Sequence, residues 1–219
     1  MPPARMTKLL PINPRRPEEE IIHQAAQALR EGKLVAFPTD TLYGLGADAT
    51  NSEAVEAVFS AKGRPKEKPL IVLARDLSMV EELVVGIDGM ARSLMDRFWP
   101  GPLTLILHSS PRLPSSLTGN TRKVGVRIPA SEVSLGLLRA TSLPLTAPSA
   151  NRSGGPDPLN AQIVWEELSG RIDWLLDGGP LTGIPSTVLD LTDRPPRILR
   201  QGAVPAQALL EFITGKEGP

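Results

Sequence analysis

Apolar residues recur along this chain in two rhythms, a helical one of about 3.6 positions and short unbroken runs, and the two are interleaved from end to end. Between Glu18 and Glu31, the positions Ile21, Ile22, Ala25, Ala26 and Leu29 share one helical face, acidic residues open the segment and Gly32 follows it. The spacing predicts an amphipathic helix. Leu34-Val35-Ala36-Phe37 is a continuous apolar run, as expected of a strand covered on both faces. Val55, Val58 and Phe59 predict a helix over 52–60, residues 70–73 a second buried strand, and Ser78 with Glu81 a capping box that starts a helix reaching about Val85. A helix over 90–98 stops at Trp99-Pro100-Gly101-Pro102.

Strands are expected at 103–107 and 124–128, on either side of a polar loop over 109–121. Ser131 caps a helix to about 140, a short strand covers 143–146, and Asn160 caps a helix to 168. Strands at 174–176, 187–191 and 197–199 and a helix over 206–213 complete the pattern. Several strand pairs are joined by turns with no helix between them. That order predicts an α/β fold, a single-domain twisted mixed sheet flanked by helices, and not a strict doubly wound sheet. Residues 1–17 are expected to form a flexible lead-in and 18–214 the domain, with no second domain after it.

Composition narrows the chemistry. The 24 basic and 24 acidic side chains cancel over 219 residues, so any anion site has to be built locally. There is no cysteine and there are two histidines, His23 and His108. Thiolate nucleophiles, disulfides and Cys- or His-based metal sites are therefore excluded or improbable, and a reducing, cytoplasmic setting suits the chain. No apolar run approaches the roughly 20 residues that span a bilayer. The third glycine of a dinucleotide fingerprint is missing after Gly44-Leu45-Gly46, and neither a phosphate loop nor a nucleophile elbow occurs.

What remains is a set of loops rich in cations, hydroxyls and backbone amides beside buried strands. Pro38-Thr39-Asp40-Thr41-Leu42-Tyr43-Gly44 leaves the first buried strand, the kind of exit at which α/β proteins place ligands. Lys62-Gly63-Arg64-Pro65-Lys66-Glu67-Lys68 sets four cations at every second position, which in extended chain would aim them at one ligand. Ala147-Pro148-Ser149-Ala150-Asn151-Arg152-Ser153 is almost entirely small or polar. Such an inventory binds carboxylates, bicarbonate and phosphates. Lys66 reads as a solvated cation, and Tyr43 as packing.

Six segments in order carry a resemblance: Pro38 to Gly46; Lys62-Gly63-Arg64-Pro65 with Pro69-Leu70-Ile71-Val72; Trp99 to Thr104; Val124-Gly125-Val126-Arg127-Ile128-Pro129; Pro148 to Gly154; and Pro185-Ser186-Thr187-Val188-Leu189-Asp190. Together they resemble the YrdC-like family of L-threonylcarbamoyladenylate synthases, across about 18–204. The resemblance implies a large concave basic cavity and a nucleotidyltransferase reaction. In it L-threonine, bicarbonate and ATP, with Mg2+, give threonylcarbamoyl-AMP and pyrophosphate, for N6-threonylcarbamoyladenosine at position 37 of tRNAs. A downstream transferase complex would finish that modification, and tRNA is a further candidate ligand. Carried over by position, Thr41, Arg127, Ala147 and Ser186 would contact threonine. Lys62, Arg64, Lys68, Lys123, Ser149, Asn151 and Arg200 would line the ATP side, with Lys62 and Arg64 the catalytic cations. The resemblance implies no protein metal site. Lys68, Leu73 and Gln201 depart from common family patterns, and Leu73 removes one polar contact to threonine that longer members make. Two rival readings are a double-stranded RNA or tRNA module without catalysis and a carbamoyl-transfer enzyme. The 4% aromatic content argues against base-stacking platforms.

Overall fold

The computed structural model describes residues 6–215. Its strands, numbered in chain order, form two mixed sheets where the pattern predicts one. The first sheet runs β1 (Lys8–Pro11), β9 (Trp174–Asp177), β2 (Val35–Pro38), β3 (Tyr43–Gly46). The second runs β11 (Arg197–Arg200), β10 (Thr187–Asp190), β6 (Leu103–Ser109), β7 (Lys123–Arg127), β4 (Ile71–Leu73), β8 (Leu145–Thr146), with β5 (Val84–Val85) added to β6. The sheets meet through two isolated bridges, Gly44 to Ser149 and Asp48 to Leu145. Backbone hydrogen bonds continue the seam on either side of them, from Ala150 N to Tyr43 O, Leu45 N to Pro148 O, Thr146 N to Ala47 O and Ala49 N to Pro144 O.

Among the described residues seven helices flank the sheets: α1 (Glu19–Arg30), α2 (Ser52–Lys62), α3 (Leu77–Leu83), α4 (Gly89–Phe98), α5 (Glu132–Thr141), α6 (Ala161–Leu168) and α7 (Ala206–Thr214). Ser131 and Asn160 accept from the backbone N–H of Ser134 and Ile163, the N-caps that the sequence predicts. The helix starting near Ser78 is capped instead by Asp76, whose carboxylate accepts from Met79 N at 2.8 Å. It ends at Leu83, because Val84 and Val85 pair with β6. A shorter carboxylate two residues earlier takes the cap position from the Ser/Glu box.

Two further differences have physical reasons. The expected lead-in contains β1, which pairs in parallel with β9 over Lys8–Pro11. Thr7 Oγ1 also donates to Ile172 O at 2.7 Å. As an edge strand it tolerates Pro11 and shows little periodicity; residues 1–5 lie outside the described range. The Tyr43–Gly46 segment, which the sequence presents as a strand exit, is itself a strand antiparallel to β2. A Cβ on Gly46 would sit 2.5 Å from the Phe37 ring, so the glycine serves close packing inside a strand.

The core lies in two layers. Ile22, Ala25, Leu29, Val133 and Leu137 from α1 and α5 cover Val35, Phe37 and Leu176 on the first sheet. Val55, Val58, Val72, Leu94, Leu105 and Val126 are among those filling the space around the second. Each fully buried aliphatic contributes roughly 1.5–3 kcal/mol. This rigid frame holds the ends of β2, β4, β7 and β8 around one cavity.

Candidate active site

A cavity of about 150 Å3 opens beside the seam where the two sheets meet. Its wall brings together residues from distant parts of the chain: Thr41, Arg64, Arg127, Ala147, Ser149, Ser186 and Arg200 all line it. Of the eleven positions carried over by resemblance, these seven converge. Lys62, Lys68, Lys123 and Asn151 are not part of the wall.

The turn from β2 to β3 is shaped by its hydroxyls. Thr39 Oγ1 donates to Leu42 O at 2.7 Å and accepts from Thr41 N at 3.0 Å, a local bond that fixes Thr41 in the wall. Arg127 ends β7, in register with Leu73 of β4, and is 4% exposed. Its Nη1 donates to Asp40 Oδ2 at 3.3 Å, and its Nη2 lies 3.2 Å from Asp40 Oδ1. Burial pulls the Arg127 guanidinium below its ordinary value; Asp40 pulls it back up, and Arg200 opposes. An arginine in such a setting stays cationic. Ser186, just ahead of β10, has its hydroxyl 2.8 Å from Thr104 Oγ1. Arg200 on β11 donates to Ser186 O from Nε (3.1 Å) and Nη2 (2.9 Å), and to Ser186 Oγ at 3.0 Å. Serine and guanidinium therefore orient each other.

The cation-rich run does not lie extended. Lys62 is the last residue of α2, Gly63 turns the chain in the left-handed region at φ 58°, and Lys68 N bonds back to Pro65 O at 3.1 Å. Only glycine adopts that cap conformation without strain. The four cations consequently part company. Arg64 enters the cavity wall, anchored by Nε to Lys68 O (3.0 Å) and Nη2 to Pro69 O (2.9 Å). Those bonds use two of its five donors and leave the rest for a ligand. Lys66 pairs with Glu56 at 2.7 Å on the surface, and Lys68 is exposed.

Lys62 turns inward, away from the cavity. Its Nζ donates to Ser149 O (2.5 Å), Asn151 O (2.6 Å) and Asn151 Oδ1 (3.2 Å). Asn151 Nδ2 in turn donates to Gly155 O and Pro156 O at 3.0 and 2.8 Å. In this geometry Lys62 and Asn151 both hold the loop that presents Ser149, and neither lines the cavity itself. Lys123 begins β7 and pairs with Asp190 (3.5 Å) and Asp193 (3.4 Å). A five-residue strand puts it about 13 Å from Arg127, outside the cavity.

Two carboxylates in or behind the wall carry weak sequence signals. Asp40 reads either as a turn residue or as a site residue, and its pairing with Arg127 depends on a residue 87 positions away. Asp157, between two prolines, lines the cavity and faces Arg200; its proline-fixed backbone is the only local signal. Tyr43 also reaches the wall, while its hydroxyl donates to Gly179 O at 2.7 Å and accepts from Gly178 N at 3.0 Å. Among the described residues, no group of three or more His, Asp or Glu is placed to hold a metal ion. No helix there is long and apolar enough to cross a membrane.

Known proteins share this fold. The family model Sua5_yciO_yrdC, described as "Telomere recombination", matches residues 27–202. The chain belongs to the Sua5/YciO/YrdC family. It is 47% identical over 197 residues to the threonylcarbamoyl-AMP synthase of Pyrococcus abyssi, covering 90% of this chain and 58% of that protein. To the Bacillus subtilis protein of the same name it is 46% identical over 194 residues, covering 88% and 56%. The chain thus spans little more than half the length of these two Sua5-type relatives. The crystal structure of P. abyssi Sua5 complexed with L-threonine superposes with a TM-score of 0.92 at 45% identity, over 95% of this chain and 61% of that one.

Proposed function

We propose that this chain is an L-threonylcarbamoyladenylate synthase, which joins L-threonine, bicarbonate and ATP into threonylcarbamoyl-AMP and pyrophosphate. The observation that carries this reading is the convergence of Thr41, Arg127, Ala147 and Ser186 with Arg64, Ser149 and Arg200 on one cavity. The names of its relatives and the threonine complex of P. abyssi Sua5 support it.

The chemistry asks two anions to meet. The threonine amine and bicarbonate lose water to form a carbamate, and a carbamate oxygen then attacks the α-phosphorus of ATP as pyrophosphate leaves. Arg127 offers a rigid fork for the threonine carboxylate. Arg64 and Arg200 offset the repulsion between carbamate and phosphates and stabilise charge as it moves onto pyrophosphate. Thr41 and Ser186 supply hydroxyl partners to the amino acid. Mg2+ needs no dedicated cage, because it arrives on the triphosphate with most of its oxygen ligands supplied by phosphate and water. Among the described residues, Asp157 is the one carboxylate in the wall that can add to them. The product would supply the threonylcarbamoyl group for position 37 of tRNAs through a separate transferase. A cysteine-free chain suits cytoplasmic work of this kind.

The deciding experiment is incubation with ATP, Mg2+ and labelled threonine, with and without bicarbonate. Bicarbonate-dependent threonylcarbamoyl-AMP with one pyrophosphate per product is the expected result. Salt-sensitive RNA binding with no AMP-containing product would overturn the reading.

A further inference from the structure

Lys62 is 2% exposed, and the chain has met its needs in an unusual way. An ammonium carries three N–H donors. Three oxygens receive them, at Ser149 O, Asn151 O and Asn151 Oδ1, and none of the three is charged. Buried lysines ordinarily have a carboxylate partner. The charged groups around this one are Arg64 on the next turn, Glu167 on α6, and Arg152 and Arg171 beside it in a shallow depression on the outer side of the loop. Glu167 is committed elsewhere: its Oε2 accepts from Arg152 N at 3.0 Å and pairs with Arg152 Nε at 3.4 Å.

Two demands on Lys62 therefore conflict. Three acceptors suit an ammonium, since a neutral amine would turn its lone pair toward one of them. Burial suits the amine. Burial first, and repulsion from Arg64 second, bring Lys62 down to about 7, with Glu167 offsetting only part. The residue is poised near neutrality, one layer behind Ser149 in the cavity wall.

We propose that Lys62 is a proton-coupled positioning residue, which holds the 149–151 loop through two N–H donors as the amine and three as the ammonium, and takes up a proton when nucleotide phosphates settle on the cavity side of that loop. This rests on reading the cavity as a nucleotide site. An anion against Ser149 would lie about 7 Å from Nζ, one residue's width plus a hydrogen bond away. At an effective dielectric near 20, one negative charge at that distance raises a lysine by between about one and two pK units. That is enough to convert Lys62 from mostly neutral to mostly charged around pH 8. Two contacts hold the loop throughout and the third is made as the proton arrives, so the protein presents a cation only when an anion is there to use it.

Titration calorimetry of Mg·ATP at pH 8, in buffers of contrasting ionisation heat, counts the protons. The parent should take up roughly half a proton per nucleotide, and its affinity should weaken up to about tenfold between pH 7 and 9. Lys62→Met should take up none and show a flat pH profile. A ligand-free readout accompanies this: with lysine 13C-labelled at Cε, one resonance should titrate near 7 and be absent from Lys62→Met. Should that variant not fold, the parent spectrum decides alone, and lysines that all titrate near 10.4 overturn the proposal. ATP binding without proton uptake, or uptake that persists in Lys62→Met, overturns it too, as does failure to bind ATP. Binding with Lys62-dependent uptake but no threonylcarbamoyl-AMP would sustain it and defeat the synthase reading.

Discussion

Two buried cations stand at this site, Arg127 in the cavity wall and Lys62 behind the loop that carries Ser149, and they are kept in different ways. Arg127 faces a carboxylate, Asp40, at 3.2–3.3 Å. Lys62 faces three neutral oxygens and a neighbouring arginine. The guanidinium with its counter-ion is a permanent charge, as an amino-acid carboxylate site requires. The ammonium without one is a conditional charge. Residue type enforces the division, because arginine keeps its proton under burial whereas lysine yields it.

Arg127→Ala should have the largest effect, since it removes the carboxylate fork and strands Asp40 as a buried unpaired charge. Threonine-dependent pyrophosphate release should fall at least about a hundredfold, and urea unfolding should show a loss of about 3–5 kcal/mol. Arg127→Lys should rescue little of the activity, because a point charge does not reproduce the fork. Arg64→Ala should cost a comparable hundredfold in turnover yet less than about 1 kcal/mol in stability, as its bonds run to two carbonyls near solvent. A stability loss matching that of Arg127→Ala would erase the distinction between a frame residue and a ligand residue.

The conditional charge predicts a pH signature. Lys62 sits lower in the folded chain than its unfolded value, so between about pH 7 and 10 the unfolded state binds more protons. Stability therefore rises with pH through that window, and the cost of burying the cation is fully present below it. From pH 7.5 to 9 the gain should be about 2 kcal/mol in urea midpoints, and Lys62→Met should abolish it. Asp40→Asn tests the other side by making Arg127 resemble Lys62. About 1–3 kcal/mol of stability should be lost, while threonine, freed from a competing carboxylate, should bind severalfold more tightly by calorimetry. Weaker threonine binding would show that Asp40 orients Arg127 more than it competes with the substrate.

Most of the frame is legible in the sequence, because burial imposes periodicity: the faces of α1, α5 and α6 and the apolar runs of β2, β4, β6 and β7 all announce themselves. What resists reading are elements whose reason lies elsewhere in the chain. β1 is an edge strand stabilised by β9, more than 160 positions away, and β3 hides behind Gly46, a glycine chosen by the Phe37 ring. In the site, composition marked the right loops, yet direction could not be read from spacing. Lys62 and Arg64 look equivalent until Gly63 reverses the chain between them. Arg127 is placed at threonine by the resemblance and Asp40 reads as a turn or a site residue, but their pairing is visible only once the fold sets them face to face.

Lys123 is the smallest test and the sharpest on the boundary of the site. Motif position groups it with the cations of the ATP side, whereas the fold leaves it at the far end of β7 with Asp190 and Asp193. Burial pushes the Asp190 carboxyl up, but hydrogen bonds from Thr192, with help from Lys123, outweigh it and hold the group below its ordinary value. The stability this contributes is present above the unfolded carboxylate range and is lost as pH falls through the folded value. Lys123→Ala should thus cost under about 1 kcal/mol at neutral pH, as for a partly exposed pair, and shift the acid unfolding midpoint slightly upward. Pyrophosphate release should stay within about twofold of the parent, because a charge about 13 Å away and screened by two carboxylates does little for the transition state. A tenfold loss at saturating threonine, reversed by raising ATP, would mean that the nucleotide extends along β7 and that the cavity is only the amino-acid end of a longer site.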